Sequence, residues 1–270
     1  MICFPNAKIN LGLYVVEKRP DGYHNLETIF YPIPVKDALE VVTAERDSFT
    51  QTGIPIEGDP STNLVMKALS LLRRHGFPIP PVEIHLHKNI PFGAGLGGGS
   101  ADAACMLTLL NDLFALRIPL VRLEELAGEL GADCPFFIQN RPLFATGIGN
   151  IFTPIELSLS GYRLCLVKPP VAVPTATAYS MVTPARPAVS LPEIVKRPVA
   201  EWRELMANDF EPSVFASYPV VGEIKAELYR QGALYAAMSG SGSAVYGLFP
   251  SPTSLEALFP DCDVREFQLH

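Results

Sequence analysis

The run Ile90–Met106, IPFGAGLGGGSADAACM, puts five glycines (Gly93, Gly95, Gly97, Gly98 and Gly99) within seven positions. It does so between a segment patterned as a strand and one patterned as a helix. Glycine is the default residue where the backbone must take a positive φ or let another group come close. Several N–H groups can then point into one concavity, and the unpaired N–H groups of a helix start lie just beyond it. That combination is an anion site, favoured by the helix dipole. The stretch therefore reads as a phosphate cradle. A flexible linker is the poorer reading, because linkers seldom have a strand and an amphipathic helix as immediate flanks.

Two common phosphate loops can be tested on pattern. The Walker loop GxxxxGK[ST] fails, because no lysine follows these glycines. Gly93, Gly95 and Gly98 match GxGxxG literally, but the match is cheap in a stretch so rich in glycine. It also follows about 90 residues of other elements instead of opening a βαβ unit, and Asp112 lies inside the helix pattern instead of at a strand end.

Ahead of the loop, Ile9, Leu11, Leu13 and Val15 alternate with Lys8, Asn10, Gly12 and Tyr14, predicting a half-buried strand over Ala7–Val16 with a lysine and an asparagine on its polar face. Pro20-Asp21-Gly22 is a turn signal, and Tyr23 and His24 follow at once, an aromatic and an imidazole able to stack on and hydrogen-bond a planar ring. Strands are expected over Leu26–Pro34 and Ala38–Val42, and a polar, turn-rich stretch over 43–60. Ser61-Thr62-Asn63 offers caps for a helix over 64–75 that stops at Gly76. Val82, Ile84 and Leu86 alternate with Glu83, His85 and His87 in a strand that feeds the glycine loop. His85 and His87 share a face, but with no third ligand in view they read as an exposed pair and not as a metal site.

Beyond the loop, helices are expected over Ser100–Phe114 and from Pro119 to Gly131. Asp133 then stands alone between that helix end and the apolar Pro135-Phe136-Phe137, placed either to cap a helix or to serve as a buried functional acid. Strands resume at Leu143–Ala145 and Arg163–Lys168. Residues 169–200 are proline-rich and read as an irregular connection with a short helix near Thr175–Met181. Helices follow over 201–207 and 218–231, with Glu211-Pro212 in the connection between them. A second small-residue loop, SGSGS, lies within Ala236–Phe249. Its arm Ala244–Phe249 and the segment Val264–Leu269 read as strands. The switch between halves falls near 150–160, giving domains 1–155 and 156–270.

Composition narrows the functions available. The net charge of −7 argues against a nucleic-acid binder. No stretch approaches 18 uninterrupted apolar residues, and the N-terminus lacks the pattern of a secretory signal, so no membrane partner and a cytoplasmic location are expected. Five scattered cysteines with no CxxC pair are best explained as buried free thiols.

PFGAGLGGGSADAA at 91–104 resembles the second motif of the GHMP kinases, a glycine loop running into a helix that binds the ATP phosphates. MSGSGS at 238–243 resembles the third motif and AKINLGL at 7–13 the first. The three occur in family order across most of the chain. The resemblance implies an α+β, two-domain GHMP fold. A ribosomal S5 domain 2-like N-terminal domain binds ATP, a ferredoxin-like domain follows it, and the substrate cleft lies between the two. It implies an ATP-dependent small-molecule kinase, a monomer or weak homodimer, using ATP and Mg2+ without a dedicated carboxylate cage. Within the family, RPDGYHNLET and LGADCPFF resemble the members whose substrate carries a cytidine diphosphate.

By the same resemblance Asp133 is the general base and Lys8 its partner. Pro91, Gly93, Gly95, Leu96, Gly97, Gly98, Gly99, Ser100 and Ala101 surround the ATP phosphates, and Asn63 lies on the adenine side. Asn10, His24 and Thr175 are polar contacts to the substrate, and Tyr23 and Tyr179 sandwich the cytosine. Ala101 departs from the serine the family often has there, which removes a hydroxyl but not the loop.

Overall fold

The computed structural model describes residues 1–55, 59 and 62–270; the cap candidate Ser61 lies outside them. The chain forms two compact units that interleave along the sequence instead of meeting at one boundary near 155. The first comprises 1–8, 32–92 and 97–141, and the second 9–31, 93–96 and 142–270.

The first unit carries the sheet β1-β4-β6-β5, made from β1 (Ile2–Cys3), β4 (Ala38–Thr43), β5 (Ser48–Gly53) and β6 (Val82–Lys88). Here β4 pairs antiparallel and β5 parallel with β6. The strand β5 falls in the stretch expected to be turns. It is an edge strand with one open face, so Ser48, Thr50 and Thr52 belong there while Phe49 packs on the core. The core lies under α1 (Leu64–Arg74), α2 (Gly98–Leu113) and α3 (Leu120–Leu130), where Leu69, Leu72, Met106, Leu107, Leu110 and Leu126 are 0–1% exposed. The short α4 (Cys134–Gln139) packs on α2 and α3.

The second unit holds two antiparallel sheets. One runs β2 (Asn6–Lys18), β3 (His24–Lys36), β7 (Leu143–Thr146) and β8 (Ile151–Pro154), the last a short strand with no period-2 signal of its own. The other is β10-β11-β9-β12, from β9 (Arg163–Lys168), β10 (Tyr235–Met238), β11 (Val245–Phe249) and β12 (Asp263–Gln268). Counted along the chain from β9, the order is 2-3-1-4 with every pairing antiparallel. That is the ferredoxin-like order. Two of its helices are α8 (Glu211–Ser217) and α9 (Pro219–Arg230), and α9 covers β10 and β11. The α+β class is therefore observed.

Five expectations need correction. Glu211-Pro212 opens α8 instead of connecting helices, because proline is tolerated in a first helical turn. The proline-rich connection contains α6 (Leu191–Ile194) as well as α5 (Thr175–Tyr179), and the helix expected over 201–207 is the short α7 (Trp202–Leu205). Strand β2 is buried on both faces, so Lys8 and Asn10 are each only 3% exposed. Cys3 and Cys105 are joined in a disulfide, β1 lying against α2, while Cys134, Cys165 and Cys262 are free. Among the described residues no helix is long and apolar enough to cross a membrane.

Candidate active site

In the first unit the site is built around the start of α2. That helix begins at Gly98, two residues before Ser100, with Gly97 as its cap in the left-handed region at φ +72°. A capping glycine has no side chain to fill the helix's first N–H groups, so they stay available to an anion. Ala101 already donates within the helix, to the Gly97 carbonyl at 2.9 Å, and its methyl is buried. A Cβ on Gly97 would lie 2.8 Å from the Phe137 ring and 3.2 Å from Lys8 Cε. The stem of Lys8 therefore runs directly beside the helix start.

Lys8 Nζ lies 3.7 Å from Asp133 Oδ2, a contact between residues 125 apart in sequence. Burial pulls the lysine below its ordinary pKa, and the charge and hydrogen bond of Asp133 oppose that fall. Asp133 sits at the position before α4, but its carboxylate makes no capping bond, and its side chain is 35% exposed. It is not the buried acid that its apolar neighbours suggested. A half-open carboxylate beside an enclosed cation is suited to meeting a solute. Next to it the Cys134 thiol is pushed up to about 11 by burial. Asn63 caps α1, its Oδ1 accepting from the Val65 N–H at 2.9 Å.

In the second unit, Gly93 and Gly95 take φ of +61° and +75°. A Cβ on Gly95 would stand 1.9 Å from the Ser239 carbonyl oxygen, so the two glycine loops touch backbone to backbone. Ser239 Oγ donates to the Gly95 carbonyl at 2.9 Å and accepts the Asn10 N–H at 3.3 Å. Ala244 donates to the Ala94 carbonyl, and Leu96 is a buried anchor. Asn208 Nδ2 donates to the carbonyls of Met238 and Gly240, holding the SGSGS loop from behind. The side chain of Asn10 is engaged inside the fold, Nδ2 donating to Thr28 Oγ1 at 2.9 Å.

The same unit gathers the aromatic residues. The His24 imidazole stacks on Tyr179 with centroids 4.8 Å apart, and Phe210 meets Tyr179 edge-on at 4.7 Å. Burial raises the Tyr179 hydroxyl above its ordinary pKa. Tyr23 is 62% exposed at the tip of the turn, which an Arg19–Asp21 ion pair braces. Thr175 is exposed at the start of α5. Thus Tyr179 has His24 and Phe210 as its ring partners, and Tyr23 stands open to solvent.

Sequence reasoning passed over Lys88, Asp37, Asp102 and Asn208. Two of them carried a signal. Lys88 continues the inward phase of Val82, Ile84 and Leu86, and Asp102 falls in phase with the buried Met106 and Leu109. A charge at a core position is an observation in need of an explanation.

Comparison with known proteins supplies the class. Residues 63–141 match the GHMP kinases N terminal domain and residues 190–260 match the GHMP kinases C terminal family. The fold recurs in the mevalonate kinase of Methanococcus jannaschii, at a TM-score of 0.71 and 15% identity over 100% of this chain and 98% of that one. The chain is a GHMP-type kinase. Relatives at higher identity resolve the branch. The 4-diphosphocytidyl-2-C-methyl-D-erythritol kinase of Parabacteroides distasonis is 64% identical over 100% of both chains, and that of Bacteroides fragilis is 61% identical over 92% of each. A crystal structure of 4-(cytidine 5'-diphospho)-2C-methyl-D-erythritol kinase superposes with a TM-score of 0.85 at 34% identity, covering 100% of this chain and 99% of that one. This chain belongs to the 4-diphosphocytidyl-2-C-methyl-D-erythritol kinase family.

Proposed function

We propose that this protein transfers the γ-phosphoryl group of ATP to the 2-hydroxyl of 4-diphosphocytidyl-2-C-methyl-D-erythritol, giving the 2-phosphate and ADP in the methylerythritol phosphate route to isoprenoid precursors. The observation that carries the reading is the Lys8–Asp133 pair beside the open N-terminus of α2, at 3.7 Å.

Phosphoryl transfer asks little covalent chemistry of a protein; positioning and charge neutralisation dominate. Asp133 takes the proton of the acceptor hydroxyl as the new P–O bond forms. Lys8 holds the carboxylate in place and balances charge on the transferring oxygens. The backbone N–H groups of Gly93–Ala101 hold the phosphates, and Asn63 lies towards the adenine. Tyr23 and Tyr179 take the two faces of the cytosine. His24 and Thr175 supply polar contacts, and Asn10 acts from inside the fold by fixing Thr28 and the Ser239 loop.

Magnesium would neutralise phosphate charge when bound with ATP. Among the described residues no three His, Cys, Asp or Glu side chains cluster as a cage. An ion carried on phosphate oxygens and water, with at most one carboxylate from the protein, suits that donor set. The protein acts as a cytoplasmic monomer or weak homodimer.

The test is a panel assay with ATP, magnesium and a set of acceptors. ATP consumption is expected with the cytidyl-methylerythritol substrate. Preference for mevalonate, homoserine or galactose refutes the assignment.

A further inference from the structure

Three charged side chains are sealed beneath the phosphate-binding helix end, all within the first unit and each only 1–3% exposed. Lys88, at the end of β6, donates from Nζ to Asp37 Oδ2 and to Asp102 Oδ2, the latter at 2.6 Å. Asp37, at the junction of β3 and β4, accepts through Oδ1 the N–H groups of Asn89 at 2.6 Å and Ile90 at 2.7 Å. Those are the last two residues before Pro91. Asp102 lies in the second turn of α2. A Cβ on Gly98 would be 3.5 Å from Lys88 Nζ, so the ammonium lies directly below the first residue of that helix. The cluster thereby ties the chain on either side of the glycine stretch to one cation.

The charges do not balance. One ammonium faces two carboxylates, and Asp102 Oδ1 has no hydrogen-bond partner among the described residues. Burial is the largest influence on Asp102; Lys88 opposes it and Asp37 reinforces it, leaving the carboxyl pushed up to about 7. Those are the charges acting on Asp102: Lys88 from β6 and Asp37 from the β3–β4 junction. Also near the helix start stand Lys8 from β2, which lies against Gly97 and pairs with Asp133 from the turn into α4, and Cys134, whose thiol meets Ser100. The helices α1 and α3 and the strands β1 and β4, which pack on the first unit's core with α2, add no charge against it among the described residues.

We propose that Lys88, Asp37 and Asp102 position the phosphate-binding end of α2 and take up a proton from solvent when nucleotide binds there. The inference rests on the proposed reading of that helix end as the ATP phosphate site. A polyphosphate placed at the helix end adds negative charge above a cluster that already carries an excess of it. The ionised form of Asp102 becomes less favourable, and the carboxylate gains a proton. Lys88 is then left to compensate the phosphates and Asp37, and the hydrogen bonds that hold Asn89 and Ile90 are kept. By linkage, nucleotide binding tightens as pH falls through neutrality. These are positioning residues; none touches the reacting atoms.

Calorimetry of magnesium-ADP binding at pH 7 to 7.5, in buffers of different ionisation enthalpy, tests this on the intact protein. Wild type should take up roughly 0.3 proton per nucleotide more than D102N. The comparison cancels the ionisation of the nucleotide itself. The amide of D102N still accepts from Lys88, so the variant should fold and bind. Equal uptake by the two proteins overturns the inference while leaving nucleotide binding intact; absence of any binding to wild type overturns the phosphate-site reading and this inference together. Infrared difference spectra of wild type carrying 13C-labelled aspartate give a readout independent of the variant. A protonated-carboxyl band should grow on nucleotide addition, and its absence refutes the proposal.

Discussion

Gly95→Ala is the sharpest perturbation available at this site, and its effect follows from how closely the two glycine loops approach each other. The new Cβ would lie 1.9 Å from the Ser239 carbonyl oxygen and 2.8 Å from its carbon, both backbone atoms. No rotamer change relieves such a contact, so the two loops must part by about 1 Å. Alanine at φ +75° costs about 1–2 kcal/mol. Parting the loops also lengthens the Ser239 Oγ to Gly95 carbonyl hydrogen bond, worth about 1 kcal/mol. The sum, about 2–3 kcal/mol, should lower Tm by about 5–10 °C without unfolding the protein. Catalysis should suffer more, because a shift of about 1 Å in a positioning loop can cost about 100-fold. Gly93→Ala is the control. Its φ is +61°, but nothing lies within 4 Å of the added methyl, so it carries the conformational cost alone. Gly97→Ala meets a side chain, the Phe137 ring at 2.8 Å, and should fall between the two. The assays are thermal melts and kcat/KM for ATP. Wild-type values for Gly95→Ala, or a larger defect in Gly93→Ala, would refute the argument that loop-to-loop contact sets this geometry.

Three further outcomes are expected. Asp133→Asn should lower kcat by at least about 100-fold while ATP still binds by calorimetry, since an amide keeps the shape but cannot take a proton; near-normal turnover removes Asp133 as base. Tyr179→Ala should raise KM for the cytidyl substrate far more than KM for ATP, because it deletes the ring on which His24 stacks; equal effects on both substrates count against base stacking. The stability of wild type relative to D102N should fall as pH rises from about 4 towards 7 and then level off. With its pKa raised on folding, Asp102 binds more protons in the folded state across that window, and each lost proton costs folded stability. A flat difference in Tm between pH 5 and 8 contradicts a raised Asp102.

Much of the fold was legible because its elements announce themselves locally. The helix α1 has its asparagine cap, two basic residues in the last turn and a stop glycine, and it runs over the expected residues. The exceptions have physical reasons. The edge strand β5 is polar because one face meets solvent. Helix α8 hides behind Glu211-Pro212, a pair that reads as a break unless proline falls in the first turn. The burial of Lys8 is a tertiary effect, since alternation along β2 cannot reveal that a second layer covers its polar face. Tyr23 and His24 were visible as a ring pair, but that the His24 ring stacks on Tyr179, 155 residues on, depends on contacts no local pattern encodes.

The two lysines of the first unit show how position separates tasks that sequence does not. Both are almost fully enclosed, and each lies beside the same helix start: Lys8 against Gly97, Lys88 beneath Gly98. Lys88 is held by two buried carboxylates in direct hydrogen bonds, so its charge is committed to the scaffold. Lys8 faces a carboxylate that is one-third open to solvent, with Asp133 Oδ2 3.7 Å from its Nζ. Burial lowers its pKa, so it holds its proton less firmly than an exposed lysine and gains most from a new negative charge arriving nearby. A phosphoryl group placed at the helix end supplies that charge. On the proposed reading, Lys8 is the lysine that stabilises a transferring phosphoryl group, because its carboxylate partner is open to solvent while those of Lys88 are sealed; exchange of the roles by swapping partners, with Asp133 deleted and a carboxylate buried beside Lys8, should leave a folded but inactive protein.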